Sequence, residues 1–509
     1  MSGNAALYFV DRHLRDGNGD RPAFREAAGQ KRTMTYGELA DASDRVSGAL
    51  AHAEIPRESR AAMLVLDQLE FPQIFWGCLK AGVVPVPLNT LLATPVYETI
   101  LNDSRASCLF VSEELWPVVQ PAAEASPHLH RIVVIGTAPE GAQSFADFME
   151  GAEPSPAVEA SEDDVAFWLY SSGSTGQPKG VRHVHASLKA TADTYGAQVL
   201  QIEPGDVIFS AAKLFFAYGL GNAMTFPMSV GAETVLFNGR PTPDGVIDII
   251  ATERPTIFCG VPTLYAAMVA QLESQGVPDV KLRRCISAGE ALPEEIGRSW
   301  QRLWGVDILD GVGSTEMLHI FLSNAPGDVA YGTSGRPVPG YEVRLVDENG
   351  ADVGVGGLGE LLVRGASAAD GYWNKRDKSR ATFEGEWTRT GDKYELTEDG
   401  RYVYCGRTDD MFKVSGIWVS PFEVEQALVA HPAVLEAAVV AARDRDGLEK
   451  PKAYIVLKQV ETDGLADELR DFVKEKVGKW KYPRWIDFVE DLPKTATGKI
   501  QRFKLREDS

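Results

Sequence analysis

The hydrophobic period of this chain keeps switching between helix and strand, and that alternation limits the folds open to it. Thr35 to Ala51 has the spacing of an amphipathic helix, and Arg60 to Leu66 is a short apolar strand pattern. Phe71 to Ala81 returns to helix and Val83 to Pro87 to strand. A βαβ rhythm of this kind predicts a mainly parallel sheet with helices on its faces. The rhythm continues past residue 180, with strands predicted at Ile208–Ala211, Glu233–Leu236 and Thr256–Cys259 and helices at Thr263–Gln271 and Pro293–Leu303. Single cores stop growing at about 250–300 residues. A chain of 509 residues is therefore expected to form two or more domains.

The texture changes near residue 330. Tyr331 to Gly406 reads as short strands separated by glycine turns, a β-rich subdomain. Within it, Gly354-Val-Gly356-Gly-Leu-Gly359 matches a dinucleotide fingerprint in letters only. Those glycines run into a strand pattern rather than opening a helix, so a hairpin turn is expected. Residues 410–509 form a last α+β unit. Ser420 is placed to cap a helix, with Pro421 at its first position and Glu423 completing a capping box. Strands are predicted at Leu435–Ala442, Ala453–Leu457 and Trp485–Val489, and a helix at Leu465–Val477 with Leu465, Leu469, Phe472 and Val473 on one face.

Lys plus Arg number 51 and Asp plus Glu 72, a net charge of −21. This argues against nucleic-acid or anionic-membrane partners. An anionic substrate would need local N–H groups, placed cations or a metal. No apolar run reaches membrane-helix length and the start does not read as a signal peptide, so a cytoplasmic protein is expected. The five scattered cysteines are expected to be buried free thiols.

Four segments carry chemistry. Tyr170-Ser171-Ser172-Gly173-Ser174-Thr175-Gly176-Gln-Pro-Lys179-Gly180 offers open backbone N–H groups, hydroxyls and one cation, enough to wrap a polyphosphate. It lacks the Gly-Lys-Ser/Thr ending of a Walker A loop. Asp310-Gly311-Val312-Gly313-Ser-Thr315-Glu316 places a hydroxyl for a phosphate oxygen beside a carboxylate suited to Mg²⁺. Thr390-Gly-Asp392 and Arg407 could hold ribose hydroxyls or phosphate, or form a surface salt-bridge cluster. Pro493-Lys-Thr-Ala-Thr-Gly-Lys499-Ile500 carries a lysine that, taken alone, reads as solvated.

In this order and spacing the four segments resemble the acyl-CoA synthetase, adenylation domain and firefly luciferase superfamily over nearly the whole chain. The resemblance implies an N-terminal domain, residues 1–408, with the ATP and aryl acid sites, and a small mobile C-terminal domain, residues 409–509. It implies two half-reactions: carboxylate and MgATP give acyl-adenylate and pyrophosphate, and a thiol then displaces AMP. Ser171 to Gly176 with Lys179 would form the phosphate loop. Ala288, Gly289 and Glu290 would line the adenine site with Asp310, Gly311 and Val312. Thr315 would meet the α-phosphate, Glu316 the magnesium, and Asp392 and Arg407 the ribose. Lys499 would bridge the acyl carboxylate and α-phosphate, and Asp409 matches the hinge. Many relatives have Tyr or Trp where Val312 stands, so aromatic stacking on adenine gives way to apolar packing.

Lys213-Leu-Phe215-Phe216-Ala217-Tyr218-Gly219-Leu220-Gly221-Asn222, with Met317-Leu-His319, resembles the benzoate-CoA ligase branch. Phe216, Ala217, Tyr218, Gly313 and His319 would then line the acyl pocket. The expected substrates are a small aromatic acid, ATP and coenzyme A, with Mg²⁺. A hydroxy- or aminobenzoate is the nearest rival, since Tyr218 or His319 could bond its substituent. A stand-alone adenylation enzyme loading a carrier protein also remains. Gly416 and Trp418, where relatives form the pantetheine tunnel, fit either thiol, and the lack of a carrier-like segment after residue 509 favours CoA. A luciferase-like oxygenase would need a larger pocket, and a sensor would be expected to lack Lys499 or Glu316. A homodimer and a lysine acetyltransferase acting on Lys499 are further partners this reading admits.

Overall fold

The computed structural model describes residues 3–172, 177–414, 417–445, 448–458, 460–478, 480–494 and 500–507. The chain divides into two compact units, Met1–Val343 with Val363–Arg389, and Arg344–Leu362 with Thr390–Ser509.

The first unit holds three sheets. A nine-stranded sheet runs in the order Arg336–Pro337, Ile320–Ser323, Ile308–Gly313, Arg284–Ser287, Ile257–Gly260, Val207–Ser210, Glu233–Leu236, Pro22–Glu26, Thr33–Thr35. Its central six strands are parallel and its outer pairings antiparallel. The predicted βαβ crossovers are present: helices Pro243–Glu253, Pro262–Gln275 and Glu294–Trp304 link parallel strands. They cover the sheet through Tyr265, Met268 and Trp300, which pack with Phe209 and Phe258. Trp300 meets Tyr265 edge-on, with centroids 4.7 Å apart.

A second sheet of five parallel strands has the order Val84–Pro87, Arg60–Leu64, Cys108–Ser112, Arg131–Ile135, Gln143–Ser144. The amphipathic helix Tyr36–His52 starts at a capping box between Thr35 and Glu38. It crosses the helix Glu70–Ala81 so closely that a Cβ on Gly77 would stand 2.4 Å from Val46. The third sheet, of three strands, is described with the site below.

In the second unit an antiparallel pair, Val434–Arg443 and Glu449–Leu457, is extended in parallel by Trp485–Phe488. Side chains alternate across it. Ala437, Val439, Ala453 and Ile455 pack with Val424, Leu428, Leu469 and Val473 of the helices Pro421–Val429 and Leu465–Val477. Ala438, Val440 and Tyr454 pack with Leu492 and Leu505. Leu505 comes from a closing helix, Arg502–Glu507, that the sequence pattern did not flag. Gly354 to Gly357 make a turn into the strand Leu358–Arg364, as expected.

Two expectations need correction. Ser420 caps its helix by accepting the N–H of Glu423, but the Glu423 carboxylate is taken by Lys481 at 2.6 and 2.8 Å. Four cysteines are buried free thiols, but Cys405 is only half-buried. Among the described residues no helix is long and apolar enough to cross a membrane.

Trp300→Ala should destabilise the first unit by about 3–5 kcal/mol, the usual cost of deleting a buried tryptophan. Urea denaturation followed by tyrosine and tryptophan fluorescence checks this, and a loss below about 1 kcal/mol would contradict the packing described.

Candidate active site

Val165–Ser172 and Pro178–Val184 form an antiparallel hairpin, with Ser171 opposite Lys179. This places the two stems of the candidate phosphate loop side by side. Gly173, Ser174, Thr175, Gly176, Gly416 and Lys499 lie outside the described residues, as does the side chain of Ser172. On its other edge Pro178–Val184 pairs with Gly371–Tyr372, with Tyr372 opposite Val181.

That third strand brings Tyr372 to the two charges the sequence had marked. The Tyr372 hydroxyl donates to Glu316 Oε1 at 2.7 Å and accepts a long contact from Lys179 Nζ at 3.4 Å. Lys179 Nζ and Glu316 Oε1 are themselves 3.8 Å apart, and the ammonium lies 4.5 Å from the Tyr372 ring centroid. An ionised carboxylate has about four lone-pair sites. The tyrosine proton occupies one, so the donor set suits a hard cation. Among the described residues no group of three or more His, Cys, Asp or Glu could hold a metal by itself. A cation here would share Glu316 with phosphate oxygens, the usual arrangement of Mg²⁺ with ATP.

Thr315 is held from behind. His183 Nε2 lies 2.8 Å from the Thr315 carbonyl, and since a carbonyl only accepts, that nitrogen carries the proton. The ring stacks on Phe167 at 5.2 Å, and burial lowers its pKa from 6.5 to about 4. The turn that follows puts Leu318 in the left-handed region at φ 66°.

Asp310 pairs with Ser287, the last residue of the strand Arg284–Ser287, where the parallel register of the two strands ends, with Ala288, Gly289 and Glu290 directly after. Ligands of open α/β sheets bind outside such ends. Asp310 is buried, and burial pushes its carboxyl up to about 8, partly opposed by the Leu292 N–H. At neutral pH it is mostly the uncharged acid. Gly289 and Glu290 are exposed, and Val312 is half-buried opposite Leu322. Gly311 and Gly313 are required by the hairpin with Ile320–Ser323: a Cβ on Gly313 would stand 2.5 Å from the His319 carbonyl oxygen.

The candidate acyl residues gather around His319. Its ring meets Tyr195 at 5.1 Å, Tyr218 at 5.7 Å and Phe226 at 4.5 Å. Its Nε2 lies 3.3 Å from the Tyr218 carbonyl, while Nδ1 is buried without a partner among the described residues. A Cβ on Gly221 would come within 2.4 Å of His319 Cδ2, so the ring fits only against a glycine. Tyr218 Oη lies 3.1 Å from the Gly260 carbonyl and 3.2 Å from that of Ile286, which commits its single proton. Only lone pairs remain for a substrate substituent. Ala217 opens the short helix Ala217–Leu220, and Phe216, its cap residue, has its ring 4.3 Å from that of Phe215, tilted by 54°.

In the second unit Asp392 and Arg407 face each other across an antiparallel pair. Arg407 Nη1 donates to Asp392 Oδ1 and to the Thr390 carbonyl, both at 2.9 Å. Trp418 lines a cavity of about 180 Å³ with Asp347, Glu348, Asn349, Leu358 and Lys393. Asp409 is exposed, and its neighbour Asp410 is bound by Arg502 and Arg506. Sequence reading missed Tyr372 and His183. Neither had a local signal, since their partners are 56 and 132 residues away.

Residues 11–373 match the family described as AMP-binding enzyme, and residues 423–499 its C-terminal domain. The chain is 52% identical over 513 residues to the 4-hydroxybenzoate–CoA/benzoate–CoA ligase of Rhodopseudomonas palustris, covering 99% of this chain and 94% of that protein. It is 53% identical over 508 residues to the benzoate–CoA ligase of Thauera aromatica, covering 99% and 95%. A crystal structure of a benzoate CoA ligase from Burkholderia xenovorans LB400 superposes with TM-score 0.90 at 48% identity, covering 99% of this chain and all of that one.

Burial lowers the His319 pKa from 6.5 to about 3. The unfolded chain therefore binds this proton more tightly, and the histidine's contribution to stability is full above pH 6.5 and lost as pH falls toward 3. Between pH 6.5 and 5 the loss is about 2 kcal/mol. His319→Gln should thus close its stability gap to the wild type by about that amount on going from pH 7 to 5 in urea titrations. A gap constant with pH would mean that His319 is not held neutral.

Proposed function

The chain belongs to the AMP-binding enzyme family, and from that premise we propose that it is an ATP-dependent aryl acid–CoA ligase acting on benzoate or a close analogue. The observation that carries the reading is the 52–53% identity, over 99% of the chain, to two ligases whose names include benzoate. The hydroxybenzoate alternative is supported by the His319 Nδ1 lone pair, an acceptor with no donor among the described residues. Loading a carrier protein in place of CoA is the rival at the second step.

A benzoate carboxylate attacking an anionic α-phosphate meets repulsion, and the transition state gathers further charge. Fixed cations and N–H groups aimed at that charge lower the barrier, each donor typically worth about 3–4 kcal/mol. In this proposal the loop from Ser171 to Gly176 and Lys179 hold the β- and γ-phosphates, Thr315 the α-phosphate and Glu316 the metal. Ala288 to Glu290 with Asp310 to Val312 frame the adenine, and Asp392 and Arg407 hold the ribose. Mg²⁺, when bound, screens the phosphate charge. Lys499 joins the acyl carboxylate to the α-phosphate in the first step. The C-terminal domain, residues 409–509, then turns about Asp409, and the segment of Gly416 and Trp418 guides the CoA thiol. The cytoplasm as location, a homodimer as assembly and acetylation of Lys499, which removes its charge, complete the proposal.

Three expectations follow. Benzoate should turn over with kcat/KM at least about 100-fold above acetate or a C12 fatty acid, since a buried ring is worth several kcal/mol. Pyrophosphate release against a panel of acids, with and without CoA, tests this, and a long-chain acid turned over as fast would overturn the aryl assignment. Lys499→Ala should lose adenylation by about 100-fold or more while still converting supplied benzoyl-adenylate to thioester. A mutant that adenylates normally and fails with CoA would reverse its role. Asp409→Pro fixes φ near −65° and should leave single-turnover adenylate formation intact while thioester formation falls by orders of magnitude. Equal loss of thioester formation in Asp409→Ala, which leaves φ free, would assign the effect to the carboxylate instead of the hinge.

A further inference from the structure

We propose that Asp67 is a positioning residue for the aryl acid subsite. Its carboxylate holds the turn Lys213–Phe216, which delivers Phe216 and Ala217, by a hydrogen bond from the Leu214 N–H and by the charge it sets against the Lys213 ammonium. The inference rests on the ligase reading and deepens it at the acyl end of the same site.

Asp67 follows the strand Arg60–Leu64 of the five-stranded sheet, 147 residues from the Leu214 it meets. Its Oδ1 accepts the Leu214 N–H at 3.2 Å, and both residues are buried. Lys213 reaches to a different element. Its ammonium donates to the carbonyl of Phe237, directly after the strand Glu233–Leu236, and lies 4.9 Å from the Phe237 ring centroid. The turn closes through the Phe216 N–H, which donates to the Lys213 carbonyl at 3.0 Å. The helix Ala217–Leu220 then packs back on that carbonyl so closely that a Cβ on Gly219 would stand 2.0 Å from its oxygen. A displacement at Lys213 or Leu214 is therefore passed directly to Phe216 and Ala217.

The segment that carries Asp67 is itself fixed on both sides. The Leu66 N–H donates to Ser112 Oγ at 3.0 Å, and the Leu69 N–H donates to Glu26 Oε1 at 3.2 Å. Arg32 ties Glu26 to Glu70, at 2.9 and 2.6 Å. Asp67 thus stands on a junction between the five-stranded sheet and the strand Pro22–Glu26 of the nine-stranded one. A buried carboxylate is costly unless it is hydrogen-bonded and set against a cation. Burial pushes the Asp67 carboxyl up to about 6 and the Lys213 ammonium down, and each charge opposes the shift of the other. The two together add no net charge beside a carboxylate substrate. Removing one leaves the other buried without its counter-charge, which is strongly unfavourable, and Lys213 would then leave its place at the Phe237 carbonyl.

Asp67→Asn keeps the volume and an acceptor and removes the charge, and Asp67→Ala removes both contacts. In benzoate-dependent pyrophosphate release, KM for benzoate should rise at least about 5-fold in the asparagine variant and further in the alanine variant, with KM for ATP within about 2-fold of the wild type in both. Asp206→Asn is the control. That carboxylate is as buried as Asp67, accepts the Thr256 hydroxyl at 2.7 Å and pairs with Arg283. It precedes the strand Val207–Ser210, whereas the turn follows that strand. Asp206→Asn should lower Tm and leave both KM values unchanged. If the alanine variant does not fold, the asparagine variant decides by itself. A wild-type KM for benzoate in Asp67→Asn, or an equal rise in KM for ATP, overturns the inference and leaves the ligase reading standing. So does the same benzoate shift in Asp206→Asn, which would assign the effect to lost stability. A wild-type chain that releases pyrophosphate with no aryl acid overturns the ligase reading and the inference with it.

Discussion

Val181 and Arg182 pair with Leu169 and Trp168 on one side and with Tyr372 and Gly371 on the other. On these two ladders the first unit's site depends. Strand pairing fixes which side chains share a face, and a slip of one residue would reverse every one of them. With Ser171 opposite Lys179, the loop stems and the lysine are set by the same register that delivers Tyr372. Trp168, Trp373 and the guanidinium of Arg60, within 6 Å of both rings, lock that register from outside the site. The chemistry thus sits on backbone hydrogen bonds and aromatic packing that touch no ligand themselves.

A second theme is charge held back. The chain is strongly acidic as a whole, yet the groups nearest the candidate acyl and adenine regions are kept neutral by burial. His319 and His183 are neutral because desolvation disfavours the imidazolium, and Asp310 is mostly protonated because desolvation disfavours the carboxylate. In a low-dielectric pocket an extra fixed anion would repel both a carboxylate substrate and a polyphosphate. Keeping Asp310 as a neutral acid removes that penalty while its backbone still closes the strand end.

Much of this was legible in the sequence because periodicity and glycine chemistry are local. The helix expected over Phe71–Ala81 begins one residue earlier, and the strand at Glu233–Leu236 matches to the residue. The segment Gly311-Val312-Gly313 stood out in the sequence only as part of a phosphate-binding pattern, and the structure shows its glycines packed against the Ile320–Ser323 strand. What could not be read was long-range register. Pro22–Glu26 and Thr33–Thr35 join the sheet of residue 233, not that of residue 60, and no local pattern distinguishes the two. Tyr372 stayed hidden for the same reason, since 193 residues separate it from Lys179. The reciprocal half of the Ser420 cap failed because a tertiary partner, Lys481, outbid a local bond.

The second unit carries a constraint on how any rotation about Asp409 would be transmitted. Arg502 grips Glu425 through Nε at 2.9 Å and Nη2 at 2.6 Å, and reaches Asp410 through Nη1 at 3.2 Å. Glu425, 6% exposed at its side chain, also accepts the N–H of Val439 at 2.7 Å. One guanidinium therefore joins the residue after the proposed pivot to the helix Pro421–Val429, through Glu425 to the edge strand Val434–Arg443, and to the start of the last helix. A fork-shaped donor matched to two carboxylates resists bending more than a single ammonium contact would. The same network reaches back past residue 409, where the Asp410 and Met411 N–H groups bond the Arg407 carbonyl at 3.1 and 3.2 Å and Arg506 bonds the Asp409 carbonyl at 3.4 Å. A hinge needs such a stiff neighbour, because a pivot followed by slack chain would move without carrying its domain.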